Sequence, residues 1–300
     1  MFRFLESEFP LLPSDDCVFQ VIPVPHEATV SYGCGTGAGP MAIIEASNQL
    51  EVWTGESMPG KHGIYTWPLV ETTGVEDTTV MTMIKDATKK AVRNGKDGKG
   101  IPVLLGGEHS ITFGSLQALK EIYGEFGVIQ FDAHADLRDT YEGSKYSHAC
   151  VMRRAHADLG LPLFQLGVRS LSPEEVAYRQ EKNIPHLDAR EFARKGGMVW
   201  LRDFLHDILP EDFPRRVFLT FDVDAFDSGL MPATGTPEPG GFSWWEALFL
   251  VRRCLKDREC IGVDVTELAP IENMSAPTFA TARLTYELMA EVAKANSLDE

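Results

Sequence analysis

Acidic residues and histidines recur two positions apart in one short stretch of this chain, and related residues occur in two others. The first stretch is Asp132-Ala133-His134-Ala135-Asp136, the second is Asp222-Val223-Asp224, and the third carries His109 within Gly106-Gly107-Glu108-His109-Ser110. On an extended backbone, side chains two positions apart lie on the same face. Carboxylate oxygens and imidazole nitrogens are metal ligands, so this spacing predicts a metal site.

Each of these stretches follows an apolar run that indicates a buried strand, over 101–105, 127–131 and 217–221. Parallel sheets bind ligands beyond the carboxyl ends of their strands, which is where these residues fall. Acids that merely cap strand ends could explain one Asp-x-Asp pair, but they do not explain three clusters after three strands. The candidate metal ligands are His109, Asp132, His134, Asp136, Asp222 and Asp224.

This set of ligands also indicates which metal it would bind and how many ions. Four aspartates and two histidines without a thiolate suit Mn²⁺ better than structural zinc, although Fe²⁺, Co²⁺ or Zn²⁺ could occupy the site in vitro. The set is too large for one catalytic ion with an open position, but it suits two ions that share carboxylates. Two such ions can hold a water between them and lower its pKa, which predicts hydrolytic chemistry.

Apolar runs alternate with helix-length segments along the whole chain, which indicates an α/β fold with a parallel sheet covered on both faces. With 300 residues and 44% hydrophobic content, the chain can form one domain over 1–300. Capping boxes mark two helix starts, at Ser172 with Glu175 and at Ser243 with Glu246. Strands are predicted near 17–24, 64–70, 101–106, 127–131, 163–168, 184–188, 216–222 and 259–266, and helices include 78–94, 110–123, 147–159, 172–183, 197–208 and 243–256.

The composition excludes several classes of partner. The formal net charge of −16 argues against nucleic acid or an anionic membrane. It weakly favours cationic ligands, although a solvated acidic surface is the commoner explanation of such a charge. The five cysteines form no CxxC pair, and the amino terminus lacks the apolar stretch of a signal peptide. We therefore expect reduced, mostly structural cysteines in a cytoplasmic protein without a membrane-spanning segment.

Two further residues could act beside the metal site. His148 follows the first cluster, and a histidine there could shuttle protons or protonate a leaving amine, although a purely structural role fits the pattern equally well. Glu267 ends the strand-like run 260–266 and could accept paired hydrogen bonds from a guanidinium group, or it could cap a helix. The Gly- and Pro-rich stretch 232–241 is expected to form a loop that shapes the wall of the site.

Four motifs resemble the signatures of the ureohydrolase family, which includes arginases and agmatinases. They are Gly-Gly-Glu-His-Ser at 106–110, Asp-Ala-His-Ala-Asp at 132–136, Phe-Asp-Val-Asp-Ala-Phe-Asp at 221–227 and Gly-Thr-Pro-Glu-Pro-Gly-Gly at 235–241. The stretch 31–36 resembles a Gly-rich loop near the family's amino terminus, so the resemblance covers nearly the whole chain. It implies a three-layer α/β/α fold with an eight-stranded parallel sheet, two Mn²⁺ ions per subunit, and a homotrimer or homohexamer.

The resemblance also implies a role for each candidate residue. One manganese ion would be bound by His109, Asp132, Asp136 and Asp222, and the other by His134, Asp132, Asp222 and Asp224. Asp136 would take a proton from the attacking hydroxide, His148 would shuttle protons, and Glu267 would orient the guanidinium group of a small cationic substrate. The products would be urea and a primary amine. The charges of two ions, four aspartates and a hydroxide leave such a centre slightly negative, which favours a cation over a phosphate dianion.

The segment 137–149 is similar to that of bacterial and archaeal agmatinases, and it is unlike the segment with which arginases hold an α-amino acid. We therefore predict hydrolysis of agmatine to putrescine and urea. Arg138 could instead clamp the carboxylate of 4-guanidinobutanoate, which would make the protein a guanidino-acid hydrolase. We favour a salt bridge between Arg138 and a nearby acid. Arginase activity, or a relative that keeps the fold without catalysis, is the remaining alternative, and the latter has little support because every expected ligand is present.

Overall fold

Eight strands form one parallel sheet in the computed structural model, which describes residues 2–203 and 207–299. The strands are β1 (Phe19–Val24), β2 (Ile64–Thr66), β3 (Ile101–Gly106), β4 (Gly127–Phe131), β5 (Leu163–Leu166), β6 (His186–Leu187), β7 (Arg216–Asp222) and β8 (Glu259–Thr266). Their order in the sheet is β2-β1-β3-β8-β7-β4-β5-β6, and every neighbouring pair is parallel. The eight-stranded parallel sheet is therefore confirmed.

Helices cover both faces of this sheet and complete the predicted three-layer α/β/α fold. Within the described residues they are α1 (Gly39–Ser47), α2 (Asp77–Asn94), α3 (Ile111–Tyr123), α4 (Val151–Ala157), α5 (Pro173–Glu181), α6 (Ala189–Lys195), α7 (Met198–Asp203), α8 (Trp244–Leu255) and α9 (Ser275–Ala295). Helices α2 to α5 contribute to the hydrophobic cluster on one face, and α1 with α6 to α9 contribute to the cluster on the other. Two helical layers thus enclose the strands.

Each of the inner strands contributes side chains to both hydrophobic clusters, because successive side chains of a strand point to opposite faces of the sheet. In β1, Val21 packs in the cluster of α1, α8 and α9, whereas Ile22 packs in the cluster of α2 and α3. Val103 and Leu104 of β3 divide between the two clusters in the same way. A strand that is buried on both faces has no polar face, which explains the continuous apolar runs in the sequence.

The structure bears out most predicted elements and changes the bounds of some. Both capping boxes are present, at the starts of α5 and α8. The strand predicted over 64–70 is wrong beyond Thr66, and Pro68, which lacks an N–H group, lies in that part. The helix predicted over 197–208 ends at Asp203 as far as the structure describes it, since 204–206 lie outside the described residues and 207–208 are not helical.

Two findings bear on the predictions drawn from composition. All five cysteines lie in the described part of the chain and are free thiols, four of them buried. Burial raises the pKa of the thiols, to about 11 for Cys17 and about 12 for Cys260, so these groups stay protonated and unreactive near neutral pH. Among the described residues, no helix combines the length and the apolar character needed to cross a bilayer.

Candidate metal centre

The four strands in the middle of the sheet each deliver a candidate site residue to the same edge. Strands β3, β8, β7 and β4 are neighbours in that order. His109 follows β3, Glu267 follows β8, Asp222 ends β7 and Asp132 follows β4. Because all four strands are parallel, their carboxyl ends meet at one edge and bring residues far apart in sequence together.

Two site residues adopt a backbone conformation that residues other than glycine rarely use. Asp136 has φ of 53° and Glu267 has φ of 66°, both in the left-handed region. Both side chains line the same pocket at the carboxyl edge of the sheet. Such strain costs free energy and is concentrated at functional sites, where the backbone must present a particular side chain.

His109 lies at the centre of the first group of candidate ligands. Its Nδ1 atom is 3.0 Å from Oδ2 of Asp132, 3.1 Å from Oδ2 of Asp136 and 3.5 Å from Oδ2 of Asp222. All four residues are buried. The ligand atoms of His109, Asp132 and Asp222 lie within 4.8 Å of one another, close enough to hold one cation.

His134 lies at the centre of a second group beside the first. Its Nδ1 atom is 3.0 Å from Oδ2 of Asp224 and 3.6 Å from Oδ1 of Asp132. The ligand atoms of these three residues also lie within 4.8 Å of one another. Asp132 therefore turns one carboxylate oxygen toward each group, which is the arrangement that a carboxylate shared by two ions requires.

The hydrogen bonds of His109 test whether the site suits a metal ion. Its Nε2 atom lies 2.7 Å from the hydroxyl of Thr220, whereas its Nδ1 atom is buried without a hydrogen-bond partner. A metal-bound histidine usually donates its other ring N–H to a neighbouring group, which leaves the metal-facing nitrogen unprotonated. The orphaned Nδ1 among carboxylate oxygens fits a divalent ion, and the oxygen-rich set fits Mn²⁺.

The pKa values of the candidate ligands also indicate a site for cations. Burial, reinforced by neighbouring aspartates, raises the pKa of Asp222 well above its usual value. Burial and the charge of Asp132 raise the pKa of Asp136 to about 7. Burial lowers the pKa of His109, but the aspartate oxygens 3.0–3.5 Å from its Nδ1 atom outweigh burial and hold the pKa well above 6.5. Buried acids packed this closely need a positive charge, which divalent cations would supply.

Polar side chains that the sequence reasoning missed support these ligands. Gln130 donates a hydrogen bond of 2.8 Å to Oδ2 of Asp132 from two positions earlier on β4. Thr220 stands in the same relation to Asp222 on β7 while its hydroxyl contacts His109. A glutamine or threonine within an apolar strand, two positions before a ligand, is the signal that would have identified both.

Two loops form the wall of the pocket, as the loop prediction for 232–241 requires. Residues 30–33 and 234–236 line it together with the candidate ligands, His148 and Glu267. The Gly33 N–H donates a hydrogen bond of 3.2 Å to the Gly235 carbonyl. A Cβ atom on Gly33 would lie 2.8 Å from that carbonyl oxygen, so the close approach of the loops requires glycine there.

His148 and Glu267 both reach this pocket. Oε1 of Glu267 accepts a hydrogen bond of 2.6 Å from the backbone N–H of His109, so the carboxylate is fixed beside the first ligand. The Nδ1 atom of His148 lies 3.1 Å from the hydroxyl of Thr29. Burial lowers the pKa of His148 below its ordinary value, so the ring is neutral near pH 7 and can accept a proton.

The salt bridge predicted for Arg138 is wrong. Within 2–203 and 207–299 no carboxylate pairs with Arg138, whose guanidinium carbon lies 5.0 Å from the centre of the Tyr141 ring. The nearest acid in sequence, Asp139, pairs with Arg154. Arg138 is also absent from the described lining of the pocket, which contains no Lys or Arg at all. The described lining of the pocket thus consists of acids, imidazoles and uncharged residues, without a lysine or an arginine.

Comparison with known proteins identifies the family. The model of the arginase family matches residues 18–293, nearly the full length of the chain. The chain belongs to the arginase family. It is a ureohydrolase, and the family's dependence on metal ions agrees with the two groups of ligands described above.

Relatives in this family match the chain over almost its whole length. It is 41% identical to the N(1)-aminopropylagmatine ureohydrolase of Synechocystis sp., over 96% of this chain and 92% of that protein. It is 31% identical to the agmatinase of Pyrococcus horikoshii, over 98% of each. The crystal structure of the agmatine ureohydrolase of Thermoplasma volcanium superposes with a TM-score of 0.79 at 27% identity, covering 99% of both chains. The resemblance seen in the sequence motifs is confirmed.

Proposed function

We propose that this ureohydrolase is a binuclear manganese enzyme that cleaves a guanidino group to urea and a primary amine. Its substrate would be agmatine or an agmatine derivative with a further amine. The observation that carries this choice is the pocket lining, in which the described residues include buried acids and imidazoles but no Lys or Arg. A guanidinium substrate with an amine tail is cationic at both ends, and no described Lys or Arg of the pocket would repel it.

The metal ions would be held by the two groups of ligands around His109 and His134. When bound, they would supply a water of lowered pKa for attack on the guanidinium carbon. Asp132 would share its two oxygens between the ions. Asp222 would be the second shared ligand, with Oδ2 toward His109 and Oδ1 accepting the backbone N–H of Asp224 at 2.9 Å.

The residues around the ligands would orient the substrate and move protons. Glu267 would accept N–H groups of the guanidinium, since Oε1 is already fixed by the backbone of His109 and the carboxylate faces the pocket. Asp136 would hold the proton released when the guanidinium carbon is attacked. His148 would receive that proton and deliver it to the departing amine nitrogen, which must be protonated before it leaves.

The tail of the substrate distinguishes the alternatives. 4-Guanidinobutanoate and arginine carry a carboxylate, which no described Lys or Arg of the pocket would neutralise. Agmatine carries a single amine in that place. The name of the 41% identical relative points to N(1)-aminopropylagmatine as a second candidate of the same cationic class.

A panel of substrates tests the proposal. Purified protein loaded with Mn²⁺ is incubated in parallel with agmatine, N(1)-aminopropylagmatine, arginine and 4-guanidinobutanoate, and urea is measured. We expect kcat/KM for one of the two amine-tailed compounds to exceed that for either carboxylate by at least about 100-fold, because an unpaired carboxylate in a desolvated pocket costs about 3 kcal/mol or more. Preference for 4-guanidinobutanoate would overturn the choice of substrate. Urea from none of the four would overturn the proposed reaction.

Arg138→Ala is the matched variant for this panel. Because Arg138 lies over Tyr141 and does not line the pocket, its loss should change kcat/KM for the amine-tailed substrates by less than about 3-fold. If Arg138→Ala instead lowered kcat/KM strongly and only for 4-guanidinobutanoate, Arg138 would be the residue that binds the substrate's carboxylate. We further propose a cytoplasmic location, one domain over 1–300, and a homotrimer or homohexamer. Gel filtration with light scattering measures the number of subunits, and a monomer would contradict the proposed assembly.

A further inference from the structure

Two residues that line no part of the pocket lie beyond the Nδ1 atom of His148. The hydroxyl of Thr29 is 3.1 Å from Nδ1, and the same hydroxyl donates a hydrogen bond of 2.9 Å to Oε1 of Glu108. Glu108 is fully buried. A continuous path of hydrogen bonds therefore runs from the imidazole through Thr29 to a buried carboxylate.

The hydrogen bonds of Thr29 determine which ring nitrogen of His148 carries the proton. A hydroxyl has one hydrogen to donate and two lone pairs to accept with. The hydrogen goes to Glu108, and one lone pair accepts the backbone N–H of His148 at 3.0 Å. The remaining lone pair faces Nδ1, so that contact is a hydrogen bond only if Nδ1 carries a hydrogen.

Glu108 is held as an acceptor by several other donors. Its Oε2 atom accepts the backbone N–H groups of Ala28 at 2.7 Å and Thr29 at 2.6 Å, and Oε1 accepts the hydroxyl of Ser110 at 2.6 Å. Backbone N–H groups can only donate, so they fix the carboxylate in position as an acceptor. The Thr29 hydroxyl donates its hydrogen to Oε1 of this carboxylate, which leaves its lone pairs for the backbone nitrogen and Nδ1 of His148.

We propose that Thr29 and Glu108 are positioning residues that hold His148 as the tautomer protonated on Nδ1. The Nε2 atom then presents its lone pair to the pocket, where no described residue hydrogen-bonds it. A proton taken from the pocket enters at Nε2 and leaves from Nε2, so the ring relays protons without changing orientation. Once the ring is charged, the carboxylate of Glu108 stabilises it through the Thr29 hydroxyl.

A second histidine of the site is oriented in a similar way. Nε2 of His109 meets the hydroxyl of Thr220 at 2.7 Å, and the opposite nitrogen, Nδ1, faces the aspartates. In both histidines a threonine hydroxyl lies beside one ring nitrogen and leaves the opposite nitrogen free to face the candidate site. For His148 the hydroxyl of Ser147 is also near Nδ1, but at 3.5 Å it is too distant to compete with Thr29.

The tautomer can be measured directly by NMR on the full chain with ¹⁵N-labelled histidine, first without metal and then with diamagnetic Zn²⁺. In spectra that correlate ring nitrogens with carbon-bound ring protons, Nε2 couples to both protons and Nδ1 mainly to one, so the protonated nitrogen is identified. His148→Gln assigns the signals. We expect His148 to be protonated on Nδ1, and the same spectrum should persist in Ser147→Ala and Thr29→Ser.

Thr29→Val is the decisive variant, because valine keeps the shape of threonine without the hydroxyl. We expect its His148 signals to change to the tautomer protonated on Nε2, which imidazole adopts by preference when free in water. The proposal would be overturned if His148 of the wild-type protein were protonated on Nε2. It would also be overturned if the Thr29→Val spectrum were the same as that of the wild type. Circular dichroism and thermal melting establish that the variant is folded.

The kinetic consequence rests on the proposed function, whereas the spectra do not. Thr29→Val should lower kcat by about 10-fold or more with KM nearly unchanged, and Thr29→Ser should restore kcat to within about 3-fold. If His148 of the wild type is protonated on Nδ1 but the protein releases no urea, the proposed function is refuted and the proposed tautomer stands. An active wild type whose Thr29→Val variant changes only KM would refute the positioning role alone.

Discussion

The two edges of the sheet carry opposite arrangements of charge. At the carboxyl edge the acids are buried, and the described residues that line the pocket include no Lys or Arg. At the amino edge a broad cleft is lined by eight Lys and Arg side chains and five Asp and Glu side chains. Three of the four arginines there have acidic partners, in the pairs Arg216–Glu259 at 2.9 Å, Arg252–Glu291 at 2.7 Å and Arg258–Asp207 at 2.7 Å.

The ion pairs at the amino edge stabilise the fold, whereas the buried acids at the carboxyl edge are placed to bind metal ions. A partly exposed ion pair satisfies both of its members and adds modestly to stability. Buried carboxylates without a cation shift their pKa values and oppose folding until a cation binds, so such a cluster indicates a functional site. We therefore expect substitutions at the carboxyl edge to change metal binding and turnover, and substitutions at the amino edge to change only stability.

Asp132→Asn should have the largest effect. Asp132 turns one oxygen toward each group of ligands, so its loss weakens both ion sites at once. We expect most of the bound Mn²⁺ to be lost and kcat to fall by about 10³-fold or more, since metal ions supply several kcal/mol of transition-state stabilisation. Metal content by mass spectrometry and urea release are the measurements.

Asp227→Asn is the matched control for Asp132→Asn. Asp227 belongs to the motif that contains Asp222, but its carboxylate accepts the backbone N–H groups of Gly229 at 2.9 Å and Gly240 at 2.7 Å. Its replacement should loosen that loop and leave both ions bound. If Asp132→Asn kept its full complement of manganese, the assignment of a shared carboxylate would have to be abandoned.

Asp136→Asn should lower turnover far more than it weakens substrate binding. Asparagine tolerates the left-handed backbone at this position, so the variant changes the proton acceptor and spares the turn. We expect kcat to fall by about 100-fold with KM within about 3-fold of the wild type. Steady-state kinetics with the best substrate of the panel measure both, and unchanged turnover would exclude Asp136 from the proton path.

His148→Ala should keep both ions and slow only proton delivery. Within the described residues, His148 lines the pocket and its hydrogen bonds go to Thr29 and Ser147, so its removal spares the ligand groups. We expect kcat to fall by about 100-fold, with partial recovery when imidazole is added to the assay. Loss of manganese from this variant would show that the histidine is a structural support of the metal centre.

Local pattern was sufficient to predict the parts of the site that lie directly on strand ends. The spacing of Asp132, His134 and Asp136, and the apolar runs before Asp132 and Asp222, follow from the period of an extended strand. All of these residues reach the same edge because the sheet is parallel throughout. The eight strands were predictable for the same reason, because strands buried on both faces have continuous apolar sequence.

The sequence could not predict contacts that depend on how distant segments pack. Thr29 and His148 are 119 positions apart, and they meet only because β1 lies beside β3 in the sheet and carries the loop that follows it to the pocket. The expected partner of Arg138 was wrong because Asp139 pairs with Arg154 of helix α4. The sequence reasoning also named no helix at α9, whose preceding residue, Met274, provides no side-chain cap.

Arg252→Gln at the amino edge should have the smallest effect. It tests the expectation that substitutions at this edge change stability and not turnover. Arg252 is half-exposed and pairs with the buried Glu291 at 2.7 Å. We expect a loss of about 1 kcal/mol in the free energy of unfolding, and a melting temperature lower by about 2 °C, because the pair is partly screened by solvent. Lys256→Gln, an exposed lysine of the same cleft, should stay within about 0.5 kcal/mol of the wild type. Both variants should release urea at the wild-type rate, and a lower kcat in Arg252→Gln with unchanged stability would mean that the amino edge also serves the reaction.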